Sequence, residues 1–116
     1  MPCLHCTPSD ATLNRLPFTR TDWLASDSHE GVGFSRCLGC EDRWLNFWVE
    51  IFDDQWLYWS PMTPEDEARL RAEKDSYKVY EIARSIVRNH KVVCKGPVRG
   101  IEWVSGSHAL LEGPPW

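Results

Sequence analysis

Two cysteine pairs constrain this chain more than any other feature. Cys3 and Cys6 stand close together near the N-terminus, and Cys37 and Cys40 repeat the spacing thirty residues later. Each Cys-x2-Cys pair can grip one side of a tetrahedral ion, and the long insert lets the two pairs meet. The pattern therefore points to zinc held by Cys3, Cys6, Cys37 and Cys40. Four thiolates fill the coordination shell and leave no open position, so the metal is expected to be a structural staple. His5 lies inside the first cysteine turn, where it more easily faces water than the ion. Cys94, alone in an apolar run, reads as a core residue.

The two pairs resemble the paired knuckles of zinc-ribbon and rubredoxin-like proteins, over Pro2–Thr7 and Arg36–Trp44. The resemblance implies that each pair sits on a turn at the end of a hairpin. Such knuckles usually carry glycine directly after the second cysteine, where the backbone is left-handed. Here Thr7 and Glu41 occupy those positions, and Gly39 precedes Cys40. A thioredoxin-like redox pair would instead be followed by a βαβ unit, whereas the residues after Cys40 read as a hairpin.

That hairpin is dense in aromatics. From Trp44 to Phe52 the residues alternate, with Leu45, Phe47, Val49 and Ile51 on one side and Trp44, Asn46, Trp48, Glu50 and Phe52 on the other. Asp53-Asp54 is the expected turn and Gln55–Trp59 the returning strand. This register would pair Ile51 with Trp56 and Val49 with Tyr58, and would set Trp48 opposite Trp59. Before it, Val32–Arg36 reads as a short strand and Thr21–Leu24 as a short helical turn. After it, Thr63 is an N-cap and Pro64 opens a helix whose first turn is acidic. The helical region runs over residues 63–90, with Leu70, Tyr77, Tyr80, Ile82, Ala83, Ile86 and Val87 as candidate core. Asp75-Ser76 would bend it or divide it into two consecutive helices. Val92–Cys94, Gly100–Val104 and Ala109–Leu111 read as closing strands.

The expected fold is α+β in a single domain over residues 1–116: a small zinc-stapled antiparallel sheet with an aromatic β-hairpin, packed by one bent helix or two consecutive helices. Its regions are the cysteine knuckles (1–43), the hairpin (44–60), the helical part (63–90) and the C-terminal strands (91–116). Nothing approaches a membrane span. The first residues have neither a basic nor an apolar leader region, so a cytoplasmic, reducing setting is expected, which favours metal over disulfides.

No nucleophile elbow, phosphate loop or acid–base pair appears, and the expectation is a protein that is not an enzyme. Seven tryptophans stand out in 116 residues. If helices leave the second hairpin face open, Trp44, Trp48 and Trp59 form a recognition surface rimmed by Asp42, Glu50, Asp53 and Asp54. If helices cover it, those tryptophans are ordinary core. The open reading predicts a protein partner with a basic surface. In size, acidity and lack of catalytic residues the chain is similar to small bacterial immunity proteins, which mask a toxin. The alternative is a zinc-ribbon accessory module of nucleic-acid machinery. With 13 basic against 17 acidic residues, a nucleic-acid surface is the weaker expectation.

Overall fold

The computed structural model of the chain describes residues 13, 16–51, 54–96 and 101–106. Among the described residues six strands and two helices follow in the order β1 (Asp22–Ser26), β2 (Glu30–Arg36), β3 (Arg43–Ile51), β4 (Asp54–Pro61), α1 (Pro64–Ala72), α2 (Ser76–Arg88), β5 (Lys91–Lys95) and β6 (Ile101–Ser105). The strands form one antiparallel sheet in sequential order, with both helices inserted between β4 and β5. This is the expected α+β architecture. Thr21–Leu24 is no helical turn, because pairing of Asp22 with Phe34 and of Trp23 with Gly33 draws the segment into β1. A segment this short takes its structure from its neighbour strand rather than from local propensity. The possible strand at Ala109–Leu111 lies outside the described residues. Among the described residues no helix is long and apolar enough to cross a membrane.

The β3–β4 hairpin forms with a different register from the expected one. Ile51 pairs with Asp54, so the chain reverses one residue earlier than expected. Val49 then faces Trp56, Phe47 faces Tyr58, Trp48 faces Leu57, and Asn46 faces Trp59. A turn one residue earlier moves the pairing by two, so every side chain keeps its face while its partner changes. Trp48 and Trp59 are therefore not a cross-strand pair. The earlier turn takes Asp54 into the ladder and extends it as far as Trp44 and Pro61.

One face of the sheet is sealed by the helices. Thr63 caps α1 reciprocally: its hydroxyl accepts the Asp66 N–H at 3.1 Å, and the Asp66 carboxylate accepts the Thr63 N–H at 3.1 Å. Asp75 caps α2 by accepting the Tyr77 N–H at 2.9 Å, so the helical region divides where the sequence marks it. Val79, Tyr80, Ala83, Ile86 and Val87 form the buried stripe of α2, and Leu70 joins them from α1. They meet Val32, Phe34, Leu45, Phe47, Val49, Tyr58, Val92 and Cys94 from the sheet. Tyr77, an expected core residue, is 77% exposed. It lies about 200° around the helix from Val79, which takes the core place. Ile82 is half-buried. Glu67 fastens this layer to the sheet by binding both Arg43 (3.2 Å) and Arg71 (2.9 Å), and Arg84 of α2 pairs with Glu30 of β2.

The other face holds a second core of Phe18, Cys37, Trp44, Trp59 and Val93, flanked by Leu13, Leu16, Leu57, Ile101 and Trp103. Its cover is the segment before β1. Phe18 bridges Cys37 beyond the end of β2, and Leu13 bridges Ile101 on the outer edge of β6. The five Cα-to-Cα steps from Leu13 to Phe18 can reach at most about 18 Å. On a flat sheet Phe18, on the β1 side of Cys37, and Leu13, on the outer side of β6, would lie six strand spacings apart, or about 29 Å. The sheet must therefore curl around this second core, with the helices on its convex side and Leu13, Leu16 and Phe18 forming a strap on its concave side.

Candidate functional site

The β2–β3 connection carries the second cysteine pair. The Cys37 N–H donates to the Asp42 carbonyl at 2.9 Å, and the Glu41 N–H donates to the Cys37 carbonyl at 2.9 Å. Within this closed turn the Gly39 N–H points at the Cys37 sulfur, at 3.3 Å. Glu41 has φ of 64°, the left-handed conformation usually given to glycine. Cys37 is buried beside Phe18 and Trp44, while Cys40 is exposed. An N–H directed at sulfur favours negative charge there, which a metal-binding thiolate needs. Cys3 and Cys6 lie outside the described residues. Among the described residues no three His, Cys, Asp or Glu side chains gather to hold a metal. Cys37 and Cys40 would supply two of the four ligands read from the sequence.

The three hairpin tryptophans do not share one surface. Trp44 and Trp59 are each 4% exposed. The Phe18 ring lies 4.9 Å from that of Trp44 and stacks on that of Trp59 at 5.9 Å. Trp103 meets Trp44 edge-on at 5.8 Å. These two residues are thus core, but the strap covers them and the helices do not. The Trp59 indole N–H is buried with no hydrogen-bond partner. Trp48 is half-buried and lies apart from that cluster. Of the expected rim, Asp42 and Asp54 are exposed, Glu50 is half-buried, and Asp53 lies outside the described residues.

A polar seam separates Trp48 from the dry cluster. Asn46, fully buried, donates from its amide to the Tyr58 carbonyl at 3.0 Å. It accepts the Thr21 hydroxyl at 2.7 Å, and Thr21 lies 3.1 Å from the Ser35 hydroxyl. Since alternate residues share a face, Asn46 falls between Trp44 and Trp48 along β3.

Beyond the seam the concave face is open. Trp23, Ser26 and Asp27 of the first hairpin, Trp48 of β3, and Gln55 and Leu57 of β4 line a cleft of about 360 Å³. Gly31 lies against both indoles: a Cβ there would stand 3.1 Å from Trp23 Cζ3 and 3.3 Å from Trp48 Cε3. The missing side chain is what lets both indoles close over β2. Trp23 remains 49% exposed. At the cleft edge, the Asp27 carboxylate accepts the N–H of His29 at 2.7 Å and of Glu30 at 2.8 Å. The His29 bond leads in holding this carboxyl below its usual range, against a smaller desolvation effect, so Asp27 is a fixed anion at neutral pH. Glu50 pairs with Gln55 on the same face, and Lys95 pairs with Leu57 at the far rim. Such a site can enclose a flat or apolar group and accept hydrogen bonds from it.

Trp23 and Asp27 are not among the site residues that the sequence pattern points to. The available signal was Gly31-Val32-Gly33-Phe34-Ser35, whose alternation puts only small residues on one face of β2. A row of small residues between two aromatic strands marks a place where rings can lie over the backbone. Comparisons of the chain with protein-family models, curated proteins and solved structures give no match.

Proposed function

We propose that this chain is a zinc-stapled protein-binding module, not an enzyme, that docks a basic partner on the open half of its concave face. One observation carries the reading: the strap fills only the half of the curled sheet beside Trp44 and Trp59, and leaves Trp23 and Trp48 around a cleft. Tryptophan in such a setting is the residue type most often responsible for binding energy at interfaces. Asp27 and Glu50 beside it, in a chain of net charge −4, suit a positively charged partner. Masking a partner's basic functional surface is the mode of a small inhibitor or immunity protein, and this chain is proposed to act in that way.

The zinc belongs to the same reading as the fastening of the strap. Cys37 packs against Phe18, so an ion shared with Cys3 and Cys6 would tie the N-terminal residues to the sheet beside it. The left-handed Glu41 and the Gly39 N–H to sulfur contact support this role for the turn.

The experiment is to recover the partner from the source cell and titrate it against variants. Trp48→Ala is expected to weaken binding by at least about 2 kcal/mol. Tyr77→Ala, on the opposite side of the sheet, should leave it unchanged. Association should slow as salt rises. Equal affinity of Trp48→Ala and the unaltered chain would end the proposal. Sub-micromolar binding of an oligonucleotide at about 150 mM salt would replace it with the nucleic-acid alternative.

A further inference from the structure

We propose that the cleft between Trp23 and Trp48 receives the guanidinium of an arginine on the partner protein; this rests on the protein-binding reading above. The lining combines two indoles with a carboxylate and a primary amide, Asp27 and Gln55. Indole is the best aromatic partner for a cation, through the negative potential of its ring face. A guanidinium is flat, weakly hydrated and rich in donors, so it can pack on rings while donating to a carboxylate at its edge. An ammonium is a compact, strongly hydrated charge and gains less from two aromatic walls.

The rest of the site agrees with that ligand. Asp27 is preorganised by the two backbone N–H groups of its own turn, so it need not reorient when a cation arrives. Glu50 adds a second negative charge on the same face, two pairs along from Trp48 and Leu57. Lys95, at the far rim beyond Leu57, disfavours a second cation there and restricts the positive charge to the Asp27 side. Gly31 lets the two rings take their places: a side chain at that position would press on both and shift the walls of the cleft.

The test uses the full chain, labelled with nitrogen-15, and follows its indole N–H signals. The probes are the N-acetyl methylamides of arginine, lysine and citrulline; citrulline keeps the shape of arginine without the charge. The arginine probe should shift the Trp23 and Trp48 signals saturably in the millimolar range, and leave those of Trp44 and Trp59 in place. Citrulline should bind at least tenfold more weakly, and lysine more weakly than arginine. Asp27→Asn, which can keep the turn's backbone hydrogen bonds, should lower arginine affinity severalfold. Gly31→Ala should lower it as well.

Equal shifts with arginine and citrulline, tighter binding of lysine, or no movement at Trp23 and Trp48 would each overturn the inference. Unchanged arginine affinity in Asp27→Asn would do the same. The two readings fail separately. If the arginine probe does not bind but a partner protein still depends on Trp48, the guanidinium inference falls and the docking surface stands. If the probe binds but no protein partner depends on Trp48, the docking surface falls, and with it the assignment of the arginine to a partner.

Discussion

The convex and concave faces of this sheet are both apolar, yet they are built by different rules. The convex layer is continuous and mixes aliphatic side chains with Phe34, Phe47, Tyr58 and Tyr80, and two capped helices seal it along its length. The concave layer is aromatic and divided: rings and a strap at one end, an Asn46 seam in the middle, an open cleft at the other. Helices cover a surface by presenting a regular stripe, and such a stripe leaves little room for a hole. An irregular strap covers only what its few side chains can reach. The uncovered half is where this molecule retains the freedom to bind something else.

The largest expected effect bears on whether the strap is held by metal. Apparent zinc binding energies in small structural sites are roughly 10–16 kcal/mol, comparable to the whole stability of a domain. One zinc per chain is expected, and Cys40→Ser should lower zinc content and Tm together. The amides of the strap and of the β2–β3 turn should lose hydrogen-exchange protection first. A metal-free protein with unaltered Tm would leave the two faces equally independent of metal.

Next come the two cores themselves. Phe47→Ala on the convex side and Trp59→Ala on the concave side should each cost about 3–5 kcal/mol in denaturant melts. A cost below about 1 kcal/mol for Trp59 would show that the strap does not make a core. Gly33→Ala should then cost about 1–3 kcal/mol by overpacking, because its Cβ would lie 2.6 Å from the Asp22 carbonyl oxygen. A neutral result would mean that β1 can move away from β2, and the cleft wall with it.

Tyr58 gives a pH test of the convex core. Burial pushes its phenol well above the ordinary value of 10, with the neighbouring Cys94 adding to the shift. Below pH 10 the phenol is neutral in both states and stability is unaffected. Above it the unfolded chain releases the proton while the folded chain retains it. Stability should fall by up to about 1.4 kcal/mol per pH unit, and Tyr58→Phe should remove that component. The smallest effect is expected at the cleft, where Trp23→Ala should change stability by no more than about 0.5 kcal/mol. A loss of several kcal/mol would convert Trp23 into core and close the open half of the comparison.

The sequence was most informative where periodicity is strict. The hairpin alternation, the Thr63 and Asp75 caps and the α2 stripe all carry their structural meaning locally, within one or two turns of chain. The strap carries none: Leu13, Leu16 and Phe18 follow no period, and their role exists only because the sheet curls beneath them. The alternation therefore leaves Trp44 and Trp59 as possible surface, whereas Phe18 makes them interior. The hairpin register differs from the expected one for a related reason. Acidic residues mark a turn only approximately, and the ladder gains more by including Asp54 than by leaving it in the loop. Trp23 gave no local sign of its importance, since the glycines that accommodate it stand eight and ten residues further along the chain.

The strap has one more consequence. A sheet that ends in unpaired strands offers their backbone groups to other molecules, and this is how many β-rich chains begin to aggregate. Here the Leu13 N–H donates to the Ile101 carbonyl on the outer side of β6, at 2.7 Å, so the last strand is partly capped by the chain's own beginning. At the opposite margin, β1 breaks register between Trp23 and Ala25, a bulge that spoils a straight template for a newcomer. One short segment thus folds the sheet around its tryptophans and guards a margin against self-association, so the proposed partner would be held by side chains in the cleft rather than by open backbone.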